Sequence, residues 1–279
     1  MIKKIFLPLL LIMILFTACG HKKQDTNAAM LKAMAQSRLE GDRSVYGLAC
    51  EGCTDSVVVL LPEGGGDPVK YNVIEATRRR KVLGKLKTGD WICVVPNAKD
   101  SMVADIVVDL DQLRGIWCYI VMPKMRDFEK MPKRLQTQLM NELSDSIKET
   151  FMIPREYGFY LKRHWVAQSV GYVQESNTLA EESPVVYPPL GYFSEWHILN
   201  GNFVMTSGTP HFSEDGKSTL TDLKYDTCSI DYLGNDSLVL TDRYGSRSYY
   251  RKDNLSDVNK KARAIAAMRS KQALQETKQ

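Results

Sequence analysis

The chain has 279 residues, 44% of them apolar and 25% charged, which is enough to bury a core and to fill two modest domains. Its formal net charge of +4 does not require a nucleic-acid partner. Most of the excess lies in residues 251–279, where eight Lys/Arg face three Asp/Glu.

The first residues carry the strongest signal. Lys3 and Lys4 precede an apolar run from Ile5 to Phe16, followed by Thr17, Ala18 and Cys19. A basic start, a short apolar stretch and small residues make the layout of a secretory signal peptide. The run is about half of the roughly 20 residues a membrane-spanning helix needs. Leu15-Phe16-Thr17-Ala18-Cys19 resembles the lipobox of bacterial lipoproteins, with Phe16 where leucine is usual and Leu15 one residue early. The resemblance implies removal of residues 1–18, a diacylglycerol on the Cys19 thiol and a further acyl chain, such as palmitate, on its amino group. Several acyl chains hold a protein firmly on a membrane. Gly20-His21-Lys22-Lys23-Gln24 lacks the acidic residues found there in surface-exported lipoproteins. The expected location is therefore the bacterial cell envelope, on the outer membrane with the domains in the periplasm; the cell surface is the alternative. Residues 19–43 read as anchor, tether and a short helix from Asn27 to a stop at Gly41.

Residues 44–112 read as a small β domain. Predicted strands cover Val45–Ala49, Ser56–Leu61, Val69–Ile74, Arg80–Leu86, Trp91–Val95 and Met102–Leu110, with Pro62–Pro68 and Thr88-Gly89-Asp90 as turns. Six short strands without a convincing helix between them predict a small barrel. Gly84 to Trp91 resembles the strand–turn–strand of small barrels, including OB-like ones. The basic run Arg78-Arg79-Arg80-Lys81 reads as a solvated turn.

Residues 113–252 read as a second barrel. The predicted strands are Gly115–Trp117, a pair within Tyr157–Tyr172, a hairpin over Gly191–Met205 turning at Asn200-Gly201, a hairpin over Thr227–Thr241, and Gly245–Arg251. Gly115-Ile116-Trp117 resembles the Gly-x-Trp of the first strand in lipocalin-like barrels. That resemblance implies an arginine from the last strand over the tryptophan, here Arg251 over Trp117, a contact of about 0.5–2 kcal/mol. An eight-stranded barrel either fills with side chains or holds one small ligand. Phe159, Trp165, Phe193, Trp196 and Phe203 are the candidate lining for an apolar ligand. Residues 126–150 depart from that plan. Phe128, Met131, Leu135, Leu139, Leu143 and Ile147 recur at helical spacing and predict an inserted helix, packed on the barrel's outside or, as the alternative, lying over its mouth as a lid. Residues 253–279 predict a basic C-terminal helix from Ser256 or Asp257.

Chemistry is sparse. Beyond Cys19 there are Cys50, Cys53, Cys93, Cys118 and Cys228. Cys50-Glu51-Gly52-Cys53 is a C-x-x-C between two strands rather than at a helix N-terminus. A local disulfide or plain loop cysteines explain it, and a second C-x-x-C that would complete a zinc site is absent from the sequence. His164, His197 and His211 share no metal spacing, and no G-x-S-x-G or H-E-x-x-H occurs. The sequence thus predicts a mainly β fold: an OB-like or similar small barrel, a lipocalin-like barrel with a helical insertion, and a C-terminal helix. The expected function is a non-enzymatic, lipid-anchored binding or interaction module for a small apolar ligand or an envelope protein. No cofactor, metal or nucleic acid is expected. The rival reading is a periplasmic thiol-redox protein using Cys50 and Cys53.

Overall fold

The computed structural model describes residues 38–142, 152–172, 185–188, 190–212, 218–260, 262–264 and 267–268. Cys19, its flanking segments, the second part of the 126–150 insertion and most of the expected C-terminal helix lie outside these residues. Among the described residues no helix is long and apolar enough to cross a membrane.

The chain is mainly β, as the recurring β-branched and aromatic runs predict. The first half contains β1 (Val45–Ala49), β2 (Val57–Pro62), β3 (Val69–Asn72), α1 (Ile74–Arg78), β4 (Val82–Leu83), β5 (Trp91–Pro96), β6 (Ala104–Asp109) and α2 (Leu110–Leu113). β1, β2 and β3 form an antiparallel meander, and β5 returns alongside β1. β6 pairs with β5, and a parallel bridge from Asn72 to Val103 brings its start back to β3. The sheet therefore curls on itself around Val58, Leu60, Tyr71, Ile92, Val94 and Val107.

Two expectations change here. Arg80–Leu86 shrinks to the two-residue β4, and the helix α1 precedes it. α1 is too short to show periodicity and has no side-chain N-cap. Ala76 buries into the core and the Thr77 hydroxyl donates to the Asp55 carbonyl at 2.8 Å, so tertiary contacts hold it. Leu110–Leu113 is helical because Asp109 caps it, its Oδ1 accepting from the Gln112 amide at 2.8 Å.

The second half contains β7 (Gly115–Val121), β8 (Lys124–Met125), α3 (Lys133–Glu142), β9 (Arg155–Leu161), β10 (Ala167–Val170), β11 (Val185–Val186), β12 (Tyr192–Leu199), β13 (Asn202–Phe212), β14 (Ser218–Leu233), β15 (Ser237–Asp242) and β16 (Gly245–Lys252). Eight of these strands form one antiparallel sheet, in the order β10-β9-β7-β16-β15-β14-β13-β12. The first and last strands pair directly. The seam between β10 and β12 is joined by a bridge from Val166 to Glu195 and by the Phe193 amide donating to Ser169 Oγ at 2.6 Å. The result is a nearly closed up-and-down barrel. Asn200 (φ 50°) and Gly201 (φ 83°) turn the predicted hairpin with two positive φ values.

Three further differences follow. β13 and β14 run on well past Met205 and Thr227 through Ser/Thr-rich sequence that carries no apolar alternation. Leu135 on α3 is exposed, so that part of the insertion's apolar stripe does not pack into a core. The C-terminal segment makes one 3-10 turn at Leu255–Asp257, and its α-helical residues begin at Lys260, a few residues later than expected. Val258 buries against Ile116, Cys118 and Val170 on the barrel's outside. Asn259 then clasps Glu156, its Oδ1 accepting from the Glu156 amide at 2.6 Å and its Nδ2 donating to the Glu156 carbonyl at 2.8 Å.

The described residues from Leu39 onward pack as one compact unit. The Gln112/Leu113 boundary is no linker: Tyr46, Cys93, Val95 and Val108 share a core with Trp117, Trp196 and Ile198.

Candidate functional site

The side-chain alternation of β7 and β16 builds both ends of the barrel. Trp117 and Tyr119 fall on the inner face of β7, and Arg247, Tyr249 and Arg251 fall on the inner face of β16. Arg251 pairs in register with Trp117.

At the first end the Arg251 guanidinium carbon lies 4.2 Å from the Trp117 ring centroid. Its Nη1 donates to the Arg114 carbonyl at 2.8 Å, and its other nitrogens donate to the Gln112 and Asn235 carbonyls. Burial lowers its pKa, yet arginine remains charged. Gly115, at φ 129°, is required here because a Cβ would collide with that guanidinium. Trp117 Nε1 donates to the Leu113 carbonyl at 2.7 Å. The curled six-stranded sheet of the first half covers this end. Trp91 from β5 meets Trp165 at 5.0 Å and Trp196 at 6.3 Å, and Tyr46 meets Trp165 edge-on at 5.5 Å.

The five predicted lining residues come together, but as packing. Trp165 contacts Trp196 at 5.0 Å, Phe159 contacts both Phe193 and Phe203 at 5.8 Å, and Trp196 contacts Phe203 at 6.3 Å. Phe159, Trp196 and Phe203 are buried; Trp165 and Phe193 are partly buried. Stacked and edge-to-face rings at these distances are the geometry of a filled core.

The opposite end has a different chemistry. Beyond Phe193 the inner face turns polar. Tyr119 meets Tyr157 at 5.7 Å and Tyr249 at 5.4 Å, both edge-on. Arg247 lies 4.5 Å above the Tyr119 ring, with its side chain exposed at the rim. Burial pushes the Tyr249 hydroxyl up to about 12, opposed by Arg247, and also raises those of Tyr119 and Tyr157. All three hydroxyls stay neutral at physiological pH, and the one charge among these groups is the Arg247 cation. The Tyr157 hydroxyl donates to the Gly191 carbonyl and pins β9 to the start of β12. Arg247, Tyr119, Tyr157 and Tyr249 were not singled out by sequence. The period-two alternation from Arg251 back along β16 is the signal that points to Arg247 and Tyr249.

No protein-family model matches the chain, and no curated protein matches it. Among solved structures, the crystal structure of a lipocalin-like protein from Bacteroides thetaiotaomicron is similar to it. The match has 18% identity and a TM-score of 0.24, and covers 36% of this chain and 82% of that one.

Among the described residues no two cysteines are at disulfide distance, so of the two readings of Cys50 and Cys53 they are plain loop cysteines rather than a bridge. The Cys53 thiol instead donates to the Cys50 carbonyl at 3.2 Å and accepts from the Val59 amide at 3.3 Å, closing the β1–β2 turn on itself. Burial pushes Cys118 up to about 12 and Cys228 up to about 11, so both stay protonated thiols. The histidines are dispersed: His197 stacks on Trp165 at 5.2 Å, and His211 Nε2 sits 2.9 Å from Thr221 Oγ1. Among the described residues no three His, Cys, Asp or Glu side chains gather as a metal site.

Proposed function

We propose that this protein is a non-enzymatic binding module held on the bacterial envelope by a lipid on Cys19, and that its ligand enters the barrel end bearing Arg247. The observation that carries the reading is the asymmetry of the barrel. One end is filled by packed aromatics and covered by the small barrel; the other carries the exposed Arg247 cation beside the partly buried Tyr119 and Tyr249, with Tyr157 buried against Tyr119. A small, mostly apolar molecule with one acidic group fits that end, since the rings bury its body and the guanidinium meets its charge. The OB-like reading of the small barrel is supported by its meander, its β5–β6 hairpin and the parallel return of β6 to β3.

An anionic fluorescent naphthalene sulfonate is the probe for the barrel end. Arg247→Ala should weaken its binding about tenfold, the effect of losing one charge-assisted contact of about 1.4 kcal/mol. Equal affinity of the parent and the variant would remove this end as the site. Anchoring is tested separately by cell fractionation. Cys19→Ala should move the protein from the membrane to the soluble fraction; continued membrane retention would contradict the lipobox reading.

A further inference from the structure

A second concavity lies away from both barrel ends. It is a groove of about 700 Å³ between the small barrel and the end of β14, bordered by the β1–β2 turn, α1, the β4 segment and Asp231-Tyr232-Leu233. Its size suits a small ligand or a short stretch of a longer one.

Three observations give it a chemistry. The first is Arg80. After α1, the Lys81 amide donates to the Ala76 carbonyl at 2.7 Å and the Arg80 amide to the Thr77 carbonyl at 3.0 Å. This is the closing turn in which a left-handed glycine is favoured. Arg80 holds that position at φ 56°. An arginine kept where glycine is the easier choice points to a role for its side chain. The second is the surrounding charge. Arg79, Arg80, Lys81, Lys85 and Lys87 form no ion pair among the described residues, whereas Arg78 is paired with Glu75. The third is Tyr232, whose ring lies against Gly234, where a Cβ would come within 2.8 Å of it. The residue nevertheless remains 54% exposed and lines the groove. It places an aromatic ring, partly open to solvent, on the wall of the groove.

Acceptors line the same groove. Asp231 is held in place by the Ser229 and Thr241 hydroxyls at 2.8 and 2.5 Å, and Asp55 lies nearby on the β1–β2 turn. Both carboxylates can accept from sugar hydroxyls. We propose that this groove binds an acidic oligosaccharide, with Arg80 and Lys85 on its carboxylates, Asp231 on its hydroxyls and Tyr232 beneath a sugar ring. Arginine's fork matches a carboxylate's two oxygens, and an open aromatic face stacks on the apolar face of a pyranose.

The test is calorimetric titration of the full chain with a galacturonate hexamer. Binding is expected, and should be at least about tenfold tighter than for a neutral glucose hexamer. Arg80→Gly should weaken binding by about tenfold while raising the melting temperature, because glycine relieves the left-handed position. Tyr232→Ala should weaken binding with the melting temperature unchanged. No binding at millimolar hexamer, or affinity unchanged in Arg80→Gly, would overturn the proposal. So would tighter binding of an oligonucleotide of equal charge. Arg247→Ala at the barrel end should leave this binding untouched, so failure here is distinct from failure there.

Discussion

Arg251→Ala is expected to lower the stability of the fold by about 3 kcal/mol. The guanidinium satisfies the carbonyls of Gln112, Arg114 and Asn235 and lies over Trp117. Truncation leaves partly buried acceptors without a donor and opens the space that Gly115 keeps free. The loss should appear as a lower urea midpoint with an unchanged slope. Arg251→Lys should recover only part of it, since one ammonium cannot span three carbonyls in fixed directions. Full recovery by lysine would mean that charge alone, rather than the fork, holds β16 to the α2 turn.

The second large effect depends on pH. Asp109 is almost wholly buried, and burial pushes its carboxyl up to about 6, with the neighbouring Asp90 adding to the rise and the Gln112 amide and Lys87 opposing it. In the unfolded chain the group loses its proton near the ordinary 3.8. Between these values the folded protein holds a proton that the unfolded chain has lost. Stability contributed by this group is therefore intact below pH 3.8, declines as pH rises through the window, and is fully lost above about 6. The rise corresponds to about 3 kcal/mol. Asp109→Asn carries no charge and keeps an oxygen for the Gln112 amide, so it should exceed the parent in stability at pH 8 and lose that advantage by pH 4. Urea denaturation at the two pH values decides it. A difference independent of pH would show that the cap geometry, not the buried charge, governs this site.

Much of the barrel was legible because its strands are half-buried and alternate. Trp117 and Arg251 could be paired from sequence because the resemblance of Gly115-Ile116-Trp117 to lipocalin-like barrels implied it, and closure of β16 on β7 puts the two in register. Asn200-Gly201 was legible because a two-residue turn demands two positive φ values. α1 was not, because five residues show no period and its stability comes from Ala76 and Thr77 touching distant chain. The packing of Trp91 on Trp165 and Trp196 was equally hidden, since it joins residues from three separate strands and loops. It is also why the five expected lining aromatics are core: the small barrel supplies rings that complete their packing. At the Arg247 end, the cluster of Arg247 with Tyr119 and Tyr157 depends on the register of β16 with β7, which no local pattern encodes.

The asymmetry of the barrel is most directly tested by amide chemical-shift mapping with the naphthalene sulfonate probe. Saturable shifts should gather around Tyr119, Tyr157, Arg247 and Tyr249 and be absent from Trp117, Trp165 and Trp196. Shifts centred on those tryptophans, or none at saturating probe, would contradict a binding barrel open at the Arg247 end.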